Sequence, residues 1–304
     1  PNFKYSDIWP SGSAENASNY STFKTNNTSR APMLAVGSND GMLHLLNAND
    51  GTVTLSFVPS MVYDNLSQLT ATDYDHRYYV DGTPNSSDVF FNGAWHTVLV
   101  GGLNTGGQGI FALNITDPTV LTESNAANIA LWEFTDADDA DMGLSYNRPQ
   151  IVRMNNGKWA AIFGNGYNNT ATDNYVSTTG NGVIYIVDIE DGSIIKKFDT
   201  KIGMADDPLA SNRPNGVATP LITDINGDHI ADYIYAGDLF GNLWKIDVTD
   251  TNSSQWDFSF SSGSDPAPLY VAKDSNGVVQ PITSRPAVKR LSGHPTGMQV
   301  FFGT

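Results

Sequence analysis

One recurring unit constrains this chain more than anything else in it. From Ala31 onward a short apolar strand ends in glycine, a variable connection leads to a second glycine, and an alternating strand follows, closed by Asp or Asn. The unit reads LAVGSNDGMLHLLN at 34–47, VLVGGLNTGGQGIFALN at 98–114, AIFGNGYNN…NGVIYIVD at 161–188 and YIYAGDLFGNLWKID at 233–247. A fifth copy, QVFFGT, opens at 299–304. The first glycines, Gly37, Gly101, Gly164, Gly237 and Gly303, are spaced by 64, 63, 73 and 66 residues. The second glycines, Gly41, Gly109, Gly182 and Gly241, fall five or six residues before Asn47, Asn114, Asp188 and Asp247. Each unit is a hairpin of half-buried strands whose glycines supply positive φ or close backbone approach. A single hairpin cannot bury its own face, so the units must stack on one another. The expected fold is all-β, a modified β-propeller with irregular insertions and little helix; because the spacing exceeds the usual 40–50 residues, either its blades are decorated or some blades do not show the motif, and a solenoid, whose periods are shorter, is the alternative.

Residues 1–30 read as a polar lead-in, mostly loop, with Tyr5 and Trp9 able to pin its start; residues 31–304 read as the propeller domain. Short helical turns are expected in 62–73 and within 121–134. The first residue is Pro1, and the fifth unit breaks off at Thr304, so the chain reads as a piece of something longer.

Charge and cysteine content exclude several functions. With 16 Lys and Arg against 32 Asp and Glu the formal charge is −16, which opposes binding to nucleic acid or to an anionic membrane surface. No run of 18 apolar residues is present, so no membrane-inserting helix is expected. There is no cysteine, which removes thiol catalysis, iron–sulfur clusters and disulfides.

The sharpest chemical signal is TDINGDHIADY at 223–233. Asp224, Asn226 and Asp228 stand at positions 1, 3 and 5 of a loop, Gly227 permits the turn, Ile230 at position 7 offers a backbone carbonyl, and Asp232 stands at position 9. Alternate oxygen donors of this kind wrap one hard cation, and a calcium ion suits their number better than magnesium. The glycine at position 4 and Tyr235 at position 12 depart from an EF-hand, and the flanks are strand-like. The loop therefore resembles the strand–loop–strand calcium sites of propellers such as the integrin-type repeats. The alternative is an Asx-rich turn without metal.

Other polar clusters are weaker. Asp136, Asp138, Asp139 and Asp141 lack an oxygen donor at Ala140 and an internal glycine, so an acidic loop solvated or paired with Arg148 or Arg153 is expected. Asp206–Asp207 reads as a surface pair, His76 as a packed loop histidine and His44 as a core or edge residue. GGLNTGGQG at 101–109 joins two strands and is read as a hairpin turn, since a phosphate loop needs a helix start there. A quinoprotein-like dehydrogenase shares the hairpin–Asp–Gly–aromatic repeat. It is opposed by the missing cysteine pair and by a calcium loop carried on one compact segment.

Six segments in order, VGSNDGMLHLLNANDGT (36–52), LSQLTATDYDHRYYVDGTP (66–84), HTVLVGGLNTGGQGIFALNITDP (96–118), LWEFTDADDADMGLSYNRPQIVR (131–153), GKWAAIFGNGYN (157–168) and DYIYAGDLFGNLWKID (232–247), resemble the C-terminal domain of the PilY/PilC proteins. These are tip-associated adhesins and biogenesis factors of bacterial type IV pili. The resemblance implies a seven-bladed modified propeller holding one calcium. Its loop pattern D-x-[DN]-x-D-x-x-x-D falls on Asp224, Asn226, Asp228, the Ile230 carbonyl and Asp232. It also implies a non-enzymatic role in which calcium occupancy opposes pilus retraction. The implied partners are pilin or minor pilins and a host-cell or surface receptor. The implied location is the bacterial surface, pilus tip or outer membrane, reached through the periplasm. The family's Arg-Gly-Asp tripeptide is absent from this chain. A scaffold with purely structural calcium is the remaining alternative.

Overall fold

A computed structural model describes residue 5 and residues 7–171, 173–291 and 297–304. Its strands fall into antiparallel sheets that succeed one another along the chain. β1 (Met33–Gly37), β2 (Leu43–Asn47) and β3 (Val53–Phe57) form the first. β4 (Asn85–Phe91), β5 (Ala94–Gly102), β6 (Gly109–Asn114) and β7 (Ala130–Thr135) form the second. β8 (Gln150–Arg153), β9 (Trp159–Gly164), β10 (Val183–Asp188) and β11 (Ile194–Asp199) form the third. β12 (Leu221–Thr223), β13 (Tyr233–Gly237), β14 (Asn242–Asp247) and β15 (Asp257–Phe258) form the fourth. A small hairpin, β16 (Ser261–Ser262) with β17 (Asp265–Pro266), precedes β18 (Tyr270–Val271), which pairs with β14 beyond the end of β15. β19 (Ala287–Arg290) and β20 (Met298–Phe301) pair as the fifth. The sequence repeat is the central hairpin of the second, third and fourth sheets, β5–β6, β9–β10 and β13–β14, and the first hairpin, β1–β2, of the three-stranded first sheet.

Alternation along these strands builds the cores between blades. On β9 and β10, Trp159, Ala161, Phe163, Val183, Tyr185 and Val187 face the second sheet, while Ala160, Ile162, Ile184 and Ile186 face the fourth. Both faces of this blade are therefore buried, which is why its central strands read as nearly unbroken apolar runs. A third core, centred on Leu43, Leu45, Leu99 and Phe111, lies between the first two sheets. The opposite face of the first sheet, carrying Leu34, Val36 and Val53, is exposed.

Two of the repeated first glycines, Gly37 and Gly164, are explained by a crossing backbone. A Cβ on Gly37 would stand 2.3 Å from the Val80 carbonyl oxygen, and one on Gly164 would stand 2.2 Å from that of Val217. At each point the chain leaving one blade for the next passes directly over the end of the glycine-bearing strand. The glycine is needed for close approach, a role the sequence pattern shares with positive φ.

The lead-in differs from expectation. It holds a 3-10 turn at Ala14–Ala17 and a helix, α1 (Tyr20–Asn26), whose first N–H groups, those of Tyr20 and Ser21, donate to the Asp7 carboxylate. Trp9 and Tyr20 are buried with Trp95 and Trp159, so the segment completes the core between the second and third sheets. Its polar composition hid this, because only a few of its residues face inward. Elsewhere helix is minor: α2 (Tyr63–Leu66) sits between 3-10 turns, and α3 (Ala126–Ile129) gives way at once to β7, so the end of 121–134 is strand. GGLNTGGQG spans the end of β5, one 3-10 turn and the start of β6, as expected of a hairpin connection.

Candidate functional site

The Asp224–Asp232 loop joins the edge strand β12 to β13 in the fourth blade. Two left-handed residues shape it, Gly227 at φ 84° and His229 at φ 68°. Glycine adopts this conformation freely, whereas His229 is held there by its surroundings. The Asp224 carboxylate accepts from the N–H groups of Gly227 at 2.6 Å and His229 at 2.8 Å. Asp228 accepts from Ile230 N at 2.9 Å and from the Asn226 amide at 2.9 Å. Asp232 reaches back to accept from Ile225 N at 2.7 Å. The loop thus folds its own acidic side chains inward onto its backbone.

Asp232 stands apart energetically. It is only 7% exposed, and burial together with the charges of Asp228 and Asp224 raises its carboxyl above the usual carboxylate range. A buried carboxylate beside two like charges is the local environment a cation relieves. The donors are all hard oxygens, three carboxylates, an amide and a carbonyl, which fits calcium in type and charge. Among the described residues no three His, Cys, Asp or Glu side chains are drawn together closely enough to hold a metal on their own. Gripping an ion therefore requires the carboxylates to exchange N–H partners for it.

The other candidates fall into structural roles. Asp139 and Asp141 pair with Lys197 at 2.7 and 2.8 Å, not with an arginine. Arg153 pairs instead with Glu15 at 2.6 Å, and Arg148 donates to the Asn85 side chain at 2.9 Å. Asp136 shares the Gln108 amide with Asp173. Asp207 is buried, unlike a surface residue, and its carboxylate binds Arg213 at 2.7 Å along with the N–H groups of Leu209 and Ser211. His44 lies on the central strand of the first sheet, on its outward face, bonded to Asp40 and Ser56 at 2.8 Å each. His76, expected to be packed, is instead an exposed loop residue between the rings of Tyr74 and Tyr78.

Sequence reasoning missed the residues of the third blade that hold the loop. Ala231 N donates to the Arg153 carbonyl at 2.9 Å, and the Asn155 amide donates to the Ala231 carbonyl at 2.7 Å and to the Val248 carbonyl at 2.9 Å. Asn155 opens an Asn-Asn-Gly turn and looked like turn punctuation only.

Comparison with known proteins is consistent across three kinds of relative. The sequence model of the PilY1 β-propeller domain matches residues 8–304. The type IV pilus biogenesis factor PilY1 of Pseudomonas aeruginosa strain PAO1 is 42% identical over 95% of this chain, which spans 24% of that protein. A PilY1 homolog of Xylella fastidiosa strain Temecula1 is 38% identical over 91% of this chain and 18% of its own length. The crystal structure of the Pseudomonas aeruginosa PilY1 C-terminal domain superposes with a TM-score of 0.78 at 38% identity, covering 96% of this chain and 56% of that one.

Proposed function

The chain belongs to the PilY1 β-propeller domain family, and from that premise we propose that it is a non-enzymatic, calcium-binding propeller of a type IV pilus biogenesis protein. Its calcium occupancy regulates pilus extension and retraction, and with them twitching and surface attachment. The protein acts at the bacterial surface or pilus, with pilins or minor pilins as partners and a host-cell or surface receptor as a further one. The ligands are Asp224, Asn226, Asp228, the Ile230 carbonyl and Asp232. The observation that carries the calcium reading is the placement of Asp224, Asn226, Asp228 and the 7%-exposed Asp232 on one tight loop between β12 and β13, shaped by the left-handed residues Gly227 and His229.

The mechanism is linkage. An ion that binds only the folded loop stabilises it by RT ln(1 + [Ca]/Kd), about 2.7 kcal/mol at a hundredfold excess over Kd. At the roughly 10⁻⁴–10⁻³ M affinities of extracellular modules the gain is smaller and reversible, as a switch requires. The loop has two arrangements to choose between, carboxylates on N–H groups or carboxylates on the ion.

Calorimetric titration of the chelator-stripped protein with calcium, with Asp228→Ala beside it, tests the site. One site in the wild type and none in the variant are expected; binding unchanged by the substitution would sink the assignment. In cells, Asp224→Ala in the full-length protein is expected to alter piliation and twitching. A variant that loses only stability, with motility normal, would leave calcium a structural role.

A further inference from the structure

The loop is a shared element of two blades and the N-terminal segment. Ile230 and Asp232, two of the ligands proposed above, flank Ala231, and both backbone groups of Ala231 are held by the third blade. Its N–H donates to the Arg153 carbonyl at 2.9 Å and its carbonyl accepts from Asn155 at 2.7 Å. Ile230 and Arg153 form a parallel bridge at the same point. Arg153 is used at both ends. Its guanidinium is buried, donates to Glu15 at 2.6 Å and to Ser13 Oγ at 3.0 Å, and lies 5.6 Å from the centre of the Trp9 ring. Glu15 is 2% exposed and also accepts from Trp159 Nε1 at 3.0 Å. The Tyr5 ring meets the His229 ring edge-on at 5.3 Å. A cleft of about 270 Å³ between these groups, lined by Tyr5, Arg153, Asp224 and His229 among others, gives the loop room to rearrange.

We infer that Asn155 and Arg153 are positioning residues for the Asp224–Asp232 loop, and that the Glu15–Arg153 pair couples its occupancy to the N-terminal segment 7–26; this rests on the calcium reading above. The ligand-bearing end of the loop cannot shift without moving the backbone of Arg153, and Arg153 cannot move without straining a buried ion pair. Coupling of this kind is reciprocal: the factor by which loosening the clamp weakens calcium is the factor by which calcium tightens the clamp.

The test is calcium calorimetry on the stripped wild-type chain, Asn155→Ala and Glu15→Gln, with amide hydrogen exchange of residues 13–26 followed with and without calcium. Wild-type binding by a single site is the prior condition, and its absence would overturn the calcium reading and this inference together. Given binding, Asn155→Ala and Glu15→Gln are each expected to weaken it about fivefold or more, the lower end of typical coupling. Exchange in 13–26 is expected to slow with calcium in the wild type and not in Asp228→Ala. Wild-type affinity in both folded variants overturns the positioning role, and exchange indifferent to calcium overturns the coupling. If Glu15→Gln fails to fold, Asn155→Ala and the wild-type exchange measurement decide.

Discussion

Removing the Asp238 carboxylate is expected to be among the most damaging single changes in this protein. Asp238 follows the repeat glycine of the fourth blade and is fully buried. One carboxylate oxygen accepts from Phe240 N and Asn242 N, both at 2.9 Å. The other accepts from the Asn215 amide at 3.0 Å, the Asn242 amide at 2.9 Å and Trp244 Nε1 at 2.8 Å. Asn215 lies in the chain linking the third blade to the fourth, so the carboxylate pins that crossing to the blade it enters. Burial raises the Asp238 carboxyl while these donors pull it back. Five bonds to a charged acceptor, at about 1.5–3 kcal/mol each, total roughly 8–15 kcal/mol. Several kcal/mol of desolvation offset that total, so Asp238→Ala is expected to lose about 3–5 kcal/mol, because it leaves buried neutral donors of Asn215, Phe240, Asn242 and Trp244 without their acceptor. Asp238→Asn keeps the shape, but its NH₂ must face at least two donors. Leaving those unsatisfied costs about 2–4 kcal/mol. Urea unfolding read by tryptophan fluorescence and by far-ultraviolet circular dichroism measures both, and coincident transitions with unchanged slope license the comparison. A loss under about 1 kcal/mol in both variants would refute the reasoning.

Glu15→Ala is expected to destabilise by about 3–5 kcal/mol because it strands a buried guanidinium, whereas Glu15→Leu with Arg153→Met is expected to be far milder; equal losses in urea would refute the ion-pair account. Asp207 is held well below the usual carboxylate range, first by Arg213 and then by backbone N–H groups. Its contribution is complete above the unfolded value of about 3.9 and is lost as pH falls through the folded one. Urea midpoints at pH 5, 4 and 3 should therefore fall less steeply in Asp207→Asn than in the wild type, and parallel curves would contradict this. Gly164→Ala places a methyl 2.2 Å from the Val217 carbonyl oxygen and should lower the melting temperature by several degrees, while Gly157→Ala, open around its Cβ, should suffer only backbone strain of about 1 kcal/mol. Equal melting temperatures in the two would refute the close-approach role.

Much of the blade architecture was legible because its signals are local. Alternation at period two, a glycine at the same step and Asp or Asn five or six residues on are properties of one hairpin, and β5–β6, β9–β10 and β13–β14 all follow them. The loop at Asp224–Asp232 was legible for the same reason, since its oxygen donors lie within nine residues. Glu15 carried no such signal. A lone glutamate in AENA looks like a solvated residue until Arg153 and Trp159 close around it. Asp207 failed in the same way: beside Asp206 it reads as surface charge, and only the return of the chain at Arg213 buries it.

The sequence by itself determined the all-β class, the repeated hairpins and the spacing of oxygen donors along the acidic loop, because side-chain direction and turn geometry are decided by neighbours along the chain. Tertiary structure alone decided which glycines are crossed by a passing backbone, how the lead-in becomes part of a core, and which residues hold the loop. Glu15 and Arg153 are 138 residues apart, and Asn155 and Ala231 are 76 apart. Such pairs exist only after the blades have stacked and excluded water, and a buried polar group then has to take whichever partner the stacking brings to it.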